Sequence, residues 1–349
     1  SILLDFNSSS GREVFNSLLR AADVLVDTFL PSEAANLGLD GPSLRREFPS
    51  LIHTTITGFG TEGPYSDYKT TDITAQAMGG LMVLTGFPGE APNQLGGEQA
   101  YHMGSLHAAV GTMIAILSRD LDSVGRDVHV SMQDCVSMAT LQTANLNYYT
   151  WDGIIRSRTG LNHAFSGQKQ PGERRSYPRS LYKTKDGWIA YAAHLAPPLA
   201  WKNTVGWMAA SGAEQDLGDP KFDDPDVRMA AQEHINEVMA DFAAQCTSNE
   251  LYHSAQKLRL LCTPVQSVAD LMNDEQLDDR DWFIKVDHPE IGKSITYPGA
   301  PYKLSDTPWQ IRRRAPKVGE HSLEVLGDWL GLSSEEADNL LKQEPSSND

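Results

Sequence analysis

Two short apolar runs constrain this chain more than any other feature: VLV, inside Ala21–Phe29, and LIHTTITG at Leu51–Gly58. Each is rich in β-branched residues and ends in polar or glycine-containing breaks, the signature of a buried strand. A helical pattern precedes each. Ser10 and Glu13 have the spacing of a capping box, and Val14, Phe15, Leu18 and Leu19 give the following helix an apolar face. Ser43–Phe48 predicts a short helix before the second run. Strand, helix, strand at this spacing is a βαβ unit, and βαβ units oblige a parallel sheet with right-handed crossovers. Ile2–Phe6 (ILLDF) reads as a further buried strand at the very start. A sheet that begins directly on a strand predicts that the first strand–helix segment of the domain lies outside this sequence.

Downstream, Asp72–Leu84 predicts a small-residue helix and Gly86–Gly97 a Pro/Gly-rich loop. The stretch Gly96–Asp120, GGEQAYHMGSLHAAVGTMIAILSRD, starts as a polar turn and becomes a long helix at about Tyr101. Met103, Leu106, Val110, Met113 and Leu117 recur at intervals of three or four, which predicts that this stripe faces the core. The first N–H groups of such a helix lack intrahelical partners and favour negative charge, so the turn is a candidate reaction site. Val128–Val130 then reads as a strand and Met132–Tyr149 as a helix. Arg156–Arg179 is a polar stretch carrying Arg156, Arg158, Lys169, Arg174, Arg175 and Arg179; it is either an active-site loop or a solvated basic one. Leu181–Ala192 predicts a hairpin around Asp186-Gly187. Helical patterns continue to about Leu261, a βα element follows at Thr263–Met272, and Trp282–Leu304 alternates strands and turns before a helix near His321–Leu330.

A chain of 349 residues is long enough for one large and one smaller domain. The net charge of −17 argues against nucleic acid or an anionic membrane surface as partner, and requires any anionic ligand to meet a local basic patch. Cys135, Cys246 and Cys262 lie far apart, with neither a CxxC nor a disulfide spacing, which predicts reduced thiols in a cytoplasmic protein. No apolar run reads as a membrane span and no signal-peptide pattern opens the sequence.

Few chemical motifs stand out. There is no G-x-S-x-G elbow, H-E-x-x-H pair, P-loop or G-x-G-x-x-G after a strand. His102 and His107 are five apart on one helix and do not share a face, so no metal is expected. Glu98, Tyr101 and His102 cluster at the helix start; they offer a carboxylate, a phenol and an imidazole for acid–base work, or they simply begin the helix.

On particular segments the sequence resembles the family III CoA-transferases, the group of formyl-CoA transferase, carnitine CoA-transferase and the α-methylacyl-CoA racemases. The matching segments are ADVLVDTFLP, LIHTTITGFGTEGPYSDYKTTDITAQAMGGLMVLTG, the Gly96–Asp120 helix, VGRDVHVSMQDC, RTGLNH, LYKTKDGWIAYAA, LCTPVQSVADLMNDEQLDDRDWF, VDHPEIG and PGAPYKLSDTPWQIRRRAPKVGEHSLEVL, in the family's order. The resemblance implies an α/β fold with a Rossmann-like large domain and a smaller α/β domain. It divides the chain into residues 1–165 (large, CoA-binding), 166–300 (linker and small domain) and 301–349 (a segment returning to the large domain). It also implies two chains interlocked as a dimer, with acyl-CoA and a carboxylic acid as substrates. In that chemistry an aspartate carboxylate attacks the thioester and forms a mixed anhydride, then an aspartyl-CoA thioester that the second acid attacks.

This chain departs from that pattern where the chemistry happens. Counting back from HAAVG, Tyr101 occupies the position of the nucleophilic aspartate; a slip of one residue would place Ala100 there. A phenol, with an ordinary pKa near 10, does not form the activated anhydride. Glu98 is the nearest carboxylate, three residues away. Thr71 stands where the racemases carry a histidine. For CoA, the family's Asn-Phe becomes Thr28-Phe29, a later basic residue becomes Asn36, and Lys69 matches a lysine near CoA. Three readings follow. The chain is the non-nucleophilic subunit of a CoA-transferase whose homologous partner bears the aspartate, as in benzylsuccinate CoA-transferase; or a catalytically idle CoA-thioester-binding homodimer; or an independent transferase using Glu98.

Overall fold

The first helix, α1 (Ser9–Ala21), leads into β1 (Val24–Asp27), and two short helices, α2 (Pro31–Leu37) and α3 (Gly41–Glu47), carry the chain to β2 (Ile52–Thr57). These coordinates come from a computed structural model, which describes residues 1–5, 8–140, 149–151, 153, 155, 158–161, 178–191 and 198–337. β2 pairs in parallel with β1 on one side and with β3 (Asp127–Ser131) on the other, giving the order β1-β2-β3. This is the parallel α/β sheet that the strand–helix–strand pattern requires. The helices α1 to α3 gather Leu19, Ala34, Leu39, Leu44, Phe48 and Leu51 into one apolar cluster. Burial of such side chains is worth roughly 1.5–3 kcal/mol each before entropy is charged against it.

The N-terminal expectation fails in two details. Ile2–Asp5 forms no strand. Its backbone turns to the C-terminal helix Ser322–Leu330: the His321 N–H donates to the Ser1 carbonyl at 2.8 Å, and the Leu3 N–H to Ser322 Oγ at 3.3 Å. Ile2 and Leu4 pack on a cluster of Val14, Leu326 and Ala337. The α1 cap is Ser8 rather than Ser10, its hydroxyl accepting from the Gly11 N–H at 3.0 Å. Both serines suit a cap, and the position at which the chain leaves extended geometry decides between them.

The chain divides into two compact units. One comprises Ser1–Tyr68, Ser105–Ser131 and Val268–Asp349; the other comprises Lys69–Gly104 and Met132–Ser267. The first contains the parallel sheet and the hairpin of β7 (Phe283–His288) and β8 (Lys293–Pro298). In the second, β4 (Leu181–Lys183), β5 (Trp188–Tyr191) and β6 (Cys262–Pro264) form an antiparallel sheet. The β4–β5 turn at Asp186-Gly187 is the expected hairpin. Helices Pro198–Ala209, Gln232–Ala244 and Ser248–Lys257 supply Trp207, Met208, Phe242 and Leu251 to a core shared with Tyr182, Ile189 and Tyr191. Cys262 is buried there, which pushes its thiol up to about 12 and leaves it unreactive at neutral pH. α4 (Asp72–Met78) stops at Gly79-Gly80 instead of running on to Leu84; Gly80 has φ +81°, and only a short 3-10 turn, Met82–Leu84, follows.

α5 (Gln99–Asp122) reverses the expected facing. Ala100, Gly104, Ala108 and Ala115 are its buried residues. Leu106, Val110, Met113, Ile114, Leu117 and Leu121 are exposed, Leu117 by 63% and Leu121 by 89%. The predicted stripe of large residues therefore points outward and the small residues point in. The reason is the close approach of α5 to the sheet. Thr112 Oγ1 lies 2.7 Å from Thr54 Oγ1, and a Cβ on Gly111 would sit 2.7 Å from Val128 Cγ1. At its end, Arg119 reaches the Asp23 carboxylate at 2.9 Å and the Asp23 carbonyl at 3.2 Å. By length and composition α5 is the one helix among the described residues apolar enough to cross a membrane, against the expectation of none. Its contacts with β2 and β3 make it a layer of the α/β unit.

Gly111→Val should lower unfolding stability by about 1–3 kcal/mol through overpacking against Val128. Leu117→Ser on the opposite face should leave the folding of the single chain within about 0.5 kcal/mol. Urea denaturation of the two variants at low protein concentration checks the facing directly.

Candidate functional site

The helix start predicted as the reaction site is organised by a residue 28 positions upstream. Asp72, the first residue of α4, is buried, and its carboxylate is turned to the α5 terminus. Asp72 Oδ1 accepts the Ala100 N–H at 2.8 Å and the Tyr101 N–H at 3.4 Å. Asp72 Oδ2 accepts Gln76 Nε2 at 2.7 Å and Gln94 Nε2 at 3.1 Å. Two of the N–H groups that every helix leaves without intrahelical partners are thus satisfied by a carboxylate, which also lies favourably in the helix dipole. Four donors converge on this one carboxylate and tie three stretches of chain together.

Gln76 is fully buried and holds the loop that feeds α5. Its Nε2 donates to the Leu95 carbonyl at 3.0 Å and its Oε1 accepts the Leu95 N–H at 3.0 Å. Arg158 secures the other end of that loop: Nε donates to the Phe87 carbonyl at 3.1 Å and Nη2 to the Glu90 carbonyl. Arg158 is therefore engaged with loop carbonyls. Arg156, Lys169, Arg174 and Arg175 lie outside the described residues.

The expected site residues fall on this frame as follows. Tyr101 stands in the first turn of α5 with its side chain 38% exposed. Glu98, also exposed, precedes the helix with φ +54°, a left-handed backbone that a non-glycine residue adopts at a penalty of roughly 1–2 kcal/mol, and its carbonyl accepts the His102 N–H at 3.1 Å. Thr71 precedes α4; its N–H donates to Thr74 Oγ1 at 2.7 Å, so the hydroxyls there serve the helix end. Asp72, Glu98 and Tyr101 belong to one compact unit, together with Lys69, which is exposed. Thr28 and Phe29 belong to the other, at the C-terminal end of β1, where ligands of open α/β sheets bind. Thr28 is exposed; Phe29 packs partly on the α1–α3 cluster.

Sequence reasoning missed Asp72, Gln76 and Gln94. An acidic residue at a helix start was legible at Asp72, but it normally caps its own helix. Nothing local reveals that it caps α5. Among the described residues no group of three or more His, Cys, Asp or Glu side chains is arranged to hold a metal.

The comparisons with known proteins agree on the kind of chain this is. The sequence profile of CoA-transferase family III matches residues 1–322. The chain is 32% identical to succinyl-CoA:(R)-benzylsuccinate CoA-transferase subunit BbsE of Thauera aromatica, over 97% of this chain and 80% of that one. It is 27% identical to the succinyl-CoA–L-malate CoA-transferase beta subunit of Chloroflexus aurantiacus, over 97% and 80%. Among solved structures it is similar to a CAIB/BAIF family protein from Brucella suis, with a TM-score of 0.78 and 25% identity over 94% of this chain and 81% of that one.

Asp72→Ala should lower unfolding stability by about 3 kcal/mol, because it strands the Ala100 N–H and removes one acceptor from the buried Gln76 amide. Glu98→Gly should be neutral or stabilising by up to about 1 kcal/mol, since it relieves the left-handed backbone. Denaturant titrations monitored by far-UV circular dichroism read both.

Proposed function

The chain belongs to CoA-transferase family III, and on that premise we propose that it is the non-nucleophilic subunit of an acyl-CoA:carboxylate CoA-transferase, working with a homologous chain that bears the aspartate. The observation that carries this reading is the α5 terminus. The frame for a reactive side chain is complete, with Asp72 seating the helix and Gln76 and Arg158 seating the loop, yet the residue presented is Tyr101. Family chemistry needs a carboxylate that attacks the thioester carbonyl, expels CoA thiolate and holds the acyl group as an anhydride. A phenol at that position forms no anhydride.

Two further facts support a subunit role. The outward face of α5 carries Leu106, Val110, Met113, Ile114, Leu117 and Leu121, a concentration of exposed apolar side chains of the kind that marks a protein interface. The relatives BbsE and the malate CoA-transferase beta subunit are themselves named as subunits. In this role the chain supplies coenzyme A contacts, Thr28 and Phe29 on one compact unit and Lys69 on the other, and a wall for the partner's acyl pocket. Coenzyme A thioesters and carboxylic acids are the substrates.

A second reading has one observation in its favour. Glu98 is exposed at the mouth of the helix start, held in a left-handed conformation that only a specific local structure maintains. It would act as the carboxylate of a self-sufficient transferase.

The purified chain alone should transfer no CoA between succinyl-CoA and added carboxylic acids, and co-expression with an Asp-bearing homologue should produce turnover that Glu98→Gln leaves intact. Turnover by the single chain, abolished by Glu98→Gln, would overturn the subunit reading in favour of the second. In the same preparations Val110→Glu combined with Leu117→Glu should shift sedimentation to a monomer without loss of helical circular dichroism; an unchanged assembled species would show that the outer face of α5 is not the interface.

A further inference from the structure

We infer that Asp27, locked by His53, is a positioning residue that fixes the Thr28–Phe29 turn for a coenzyme A thioester; the inference rests on the reading of that turn as part of the CoA surface. It starts from register. β1, β2 and β3 place Leu25, His53 and Asp127 side by side, and two residues on Asp27, Thr55 and His129. Side chains two apart on a strand share a face, so two aspartates and two histidines lie on one side of the sheet, His53 buried and His129 exposed. His53 is 3% exposed and Asp27 8%. A sheet face this well buried is ordinarily aliphatic, and ionisable groups persist there only when paired.

The pairing has a direction. His53 Nε2 lies 2.5 Å from Asp27 Oδ2 and 2.9 Å from Thr55 Oγ1, while His53 Nδ1 faces Asp127 Oδ1 at 3.6 Å. The Asp127 carboxylate is in turn ion-paired with Arg45 on α3. The other Asp27 oxygen, Oδ1, accepts the Phe29 N–H at 3.1 Å. Asp27 therefore faces the imidazole with one oxygen and the backbone of the next turn with the other. The side chain between these two anchors is Thr28, exposed at the strand end. A carboxylate-to-amide bond across two residues sets the exit path of the chain from β1, and a buried histidine keeps that carboxylate from rotating. The bonds His53–Asp27 and Asp27–Phe29 tie β2 to the turn after β1, with the Arg45–Asp127 pair of α3 and β3 beside them. The plain stability of the sheet needs none of it, since aliphatic side chains at these positions would serve.

The test is calorimetric titration of the purified chain with coenzyme A, alongside amide hydrogen exchange at Phe29. Asp27→Ala should weaken coenzyme A binding by about tenfold and speed exchange of the Phe29 amide. Asp27→Asn retains an acceptor for that amide and should recover affinity to within about threefold of wild type. If Asp27→Ala does not fold, the pair His53→Gln and His53→Leu carries the comparison: glutamine offers an amide N–H to Asp27 and should stay near wild type, whereas leucine should lose affinity and Phe29 protection together. Affinity that falls with Phe29→Ala but not with Asp27→Ala would overturn this inference and leave the CoA reading standing; so would Asp27→Asn binding as poorly as Asp27→Ala. A wild-type chain that takes up no coenzyme A overturns the CoA reading and this inference with it.

Discussion

The carboxylate of Asp72 is the contact on which the rest of the candidate site depends. It joins the start of α4, the loop before α5 through Gln76 and Gln94, and the first turn of α5. A helix terminus needs its leading N–H groups satisfied, and in most helices a residue adjacent in sequence does this. Here the acceptor comes from 28 residues away, so the helix start is positioned by tertiary structure. That arrangement leaves the side chain at Tyr101 unburdened by capping, which is what a site needs if its reacting residue is to face a substrate. It also frees the geometry of the turn from the side chain of residue 101, because Asp72 bonds the backbone N–H groups of Ala100 and Tyr101.

α5 carries the second constraint. Its Ala and Gly residues meet a sheet at a distance that excludes anything larger, as the approach of Gly111 to Val128 shows. Close packing of a helix on a sheet selects small residues at the contact, and the large residues between them then face elsewhere. On this chain they face solvent, in a row from Leu106 to Leu121. The two faces of α5 therefore differ in kind, one holding the fold and the other bearing exposed apolar side chains.

Periodicity predicted α5 correctly as a helix and wrongly as to which stripe it buries. The rule that large apolar residues face the core assumes a contact spaced for large residues, and sequence carries no information about that spacing. The same limit explains other differences. Ile2–Asp5 has strand-like composition, but its backbone groups find partners on the C-terminal helix. Ser8 and Ser10 are equally good caps on composition, and chain direction selects Ser8. Asp27, His53 and Asp127 lie in three separate strands, and only parallel register brings them onto one face. By contrast, the βαβ order and the Asp186-Gly187 hairpin were legible, because each rests on local propensity and turn chemistry.

By itself the sequence determined the class of fold, the family, and that the side chain offered in the first turn of α5 is a tyrosine, Tyr101. These follow from residue order and from side-chain identity, neither of which folding can change. Tertiary structure alone decided that Asp72 seats α5, that its large apolar residues face outward, and that a histidine buried between two aspartates anchors the turn after β1. Each depends on groups far apart in the chain meeting within hydrogen-bond or van der Waals distance. Such meetings are set by the packing of whole elements, to which no short stretch of sequence is sensitive.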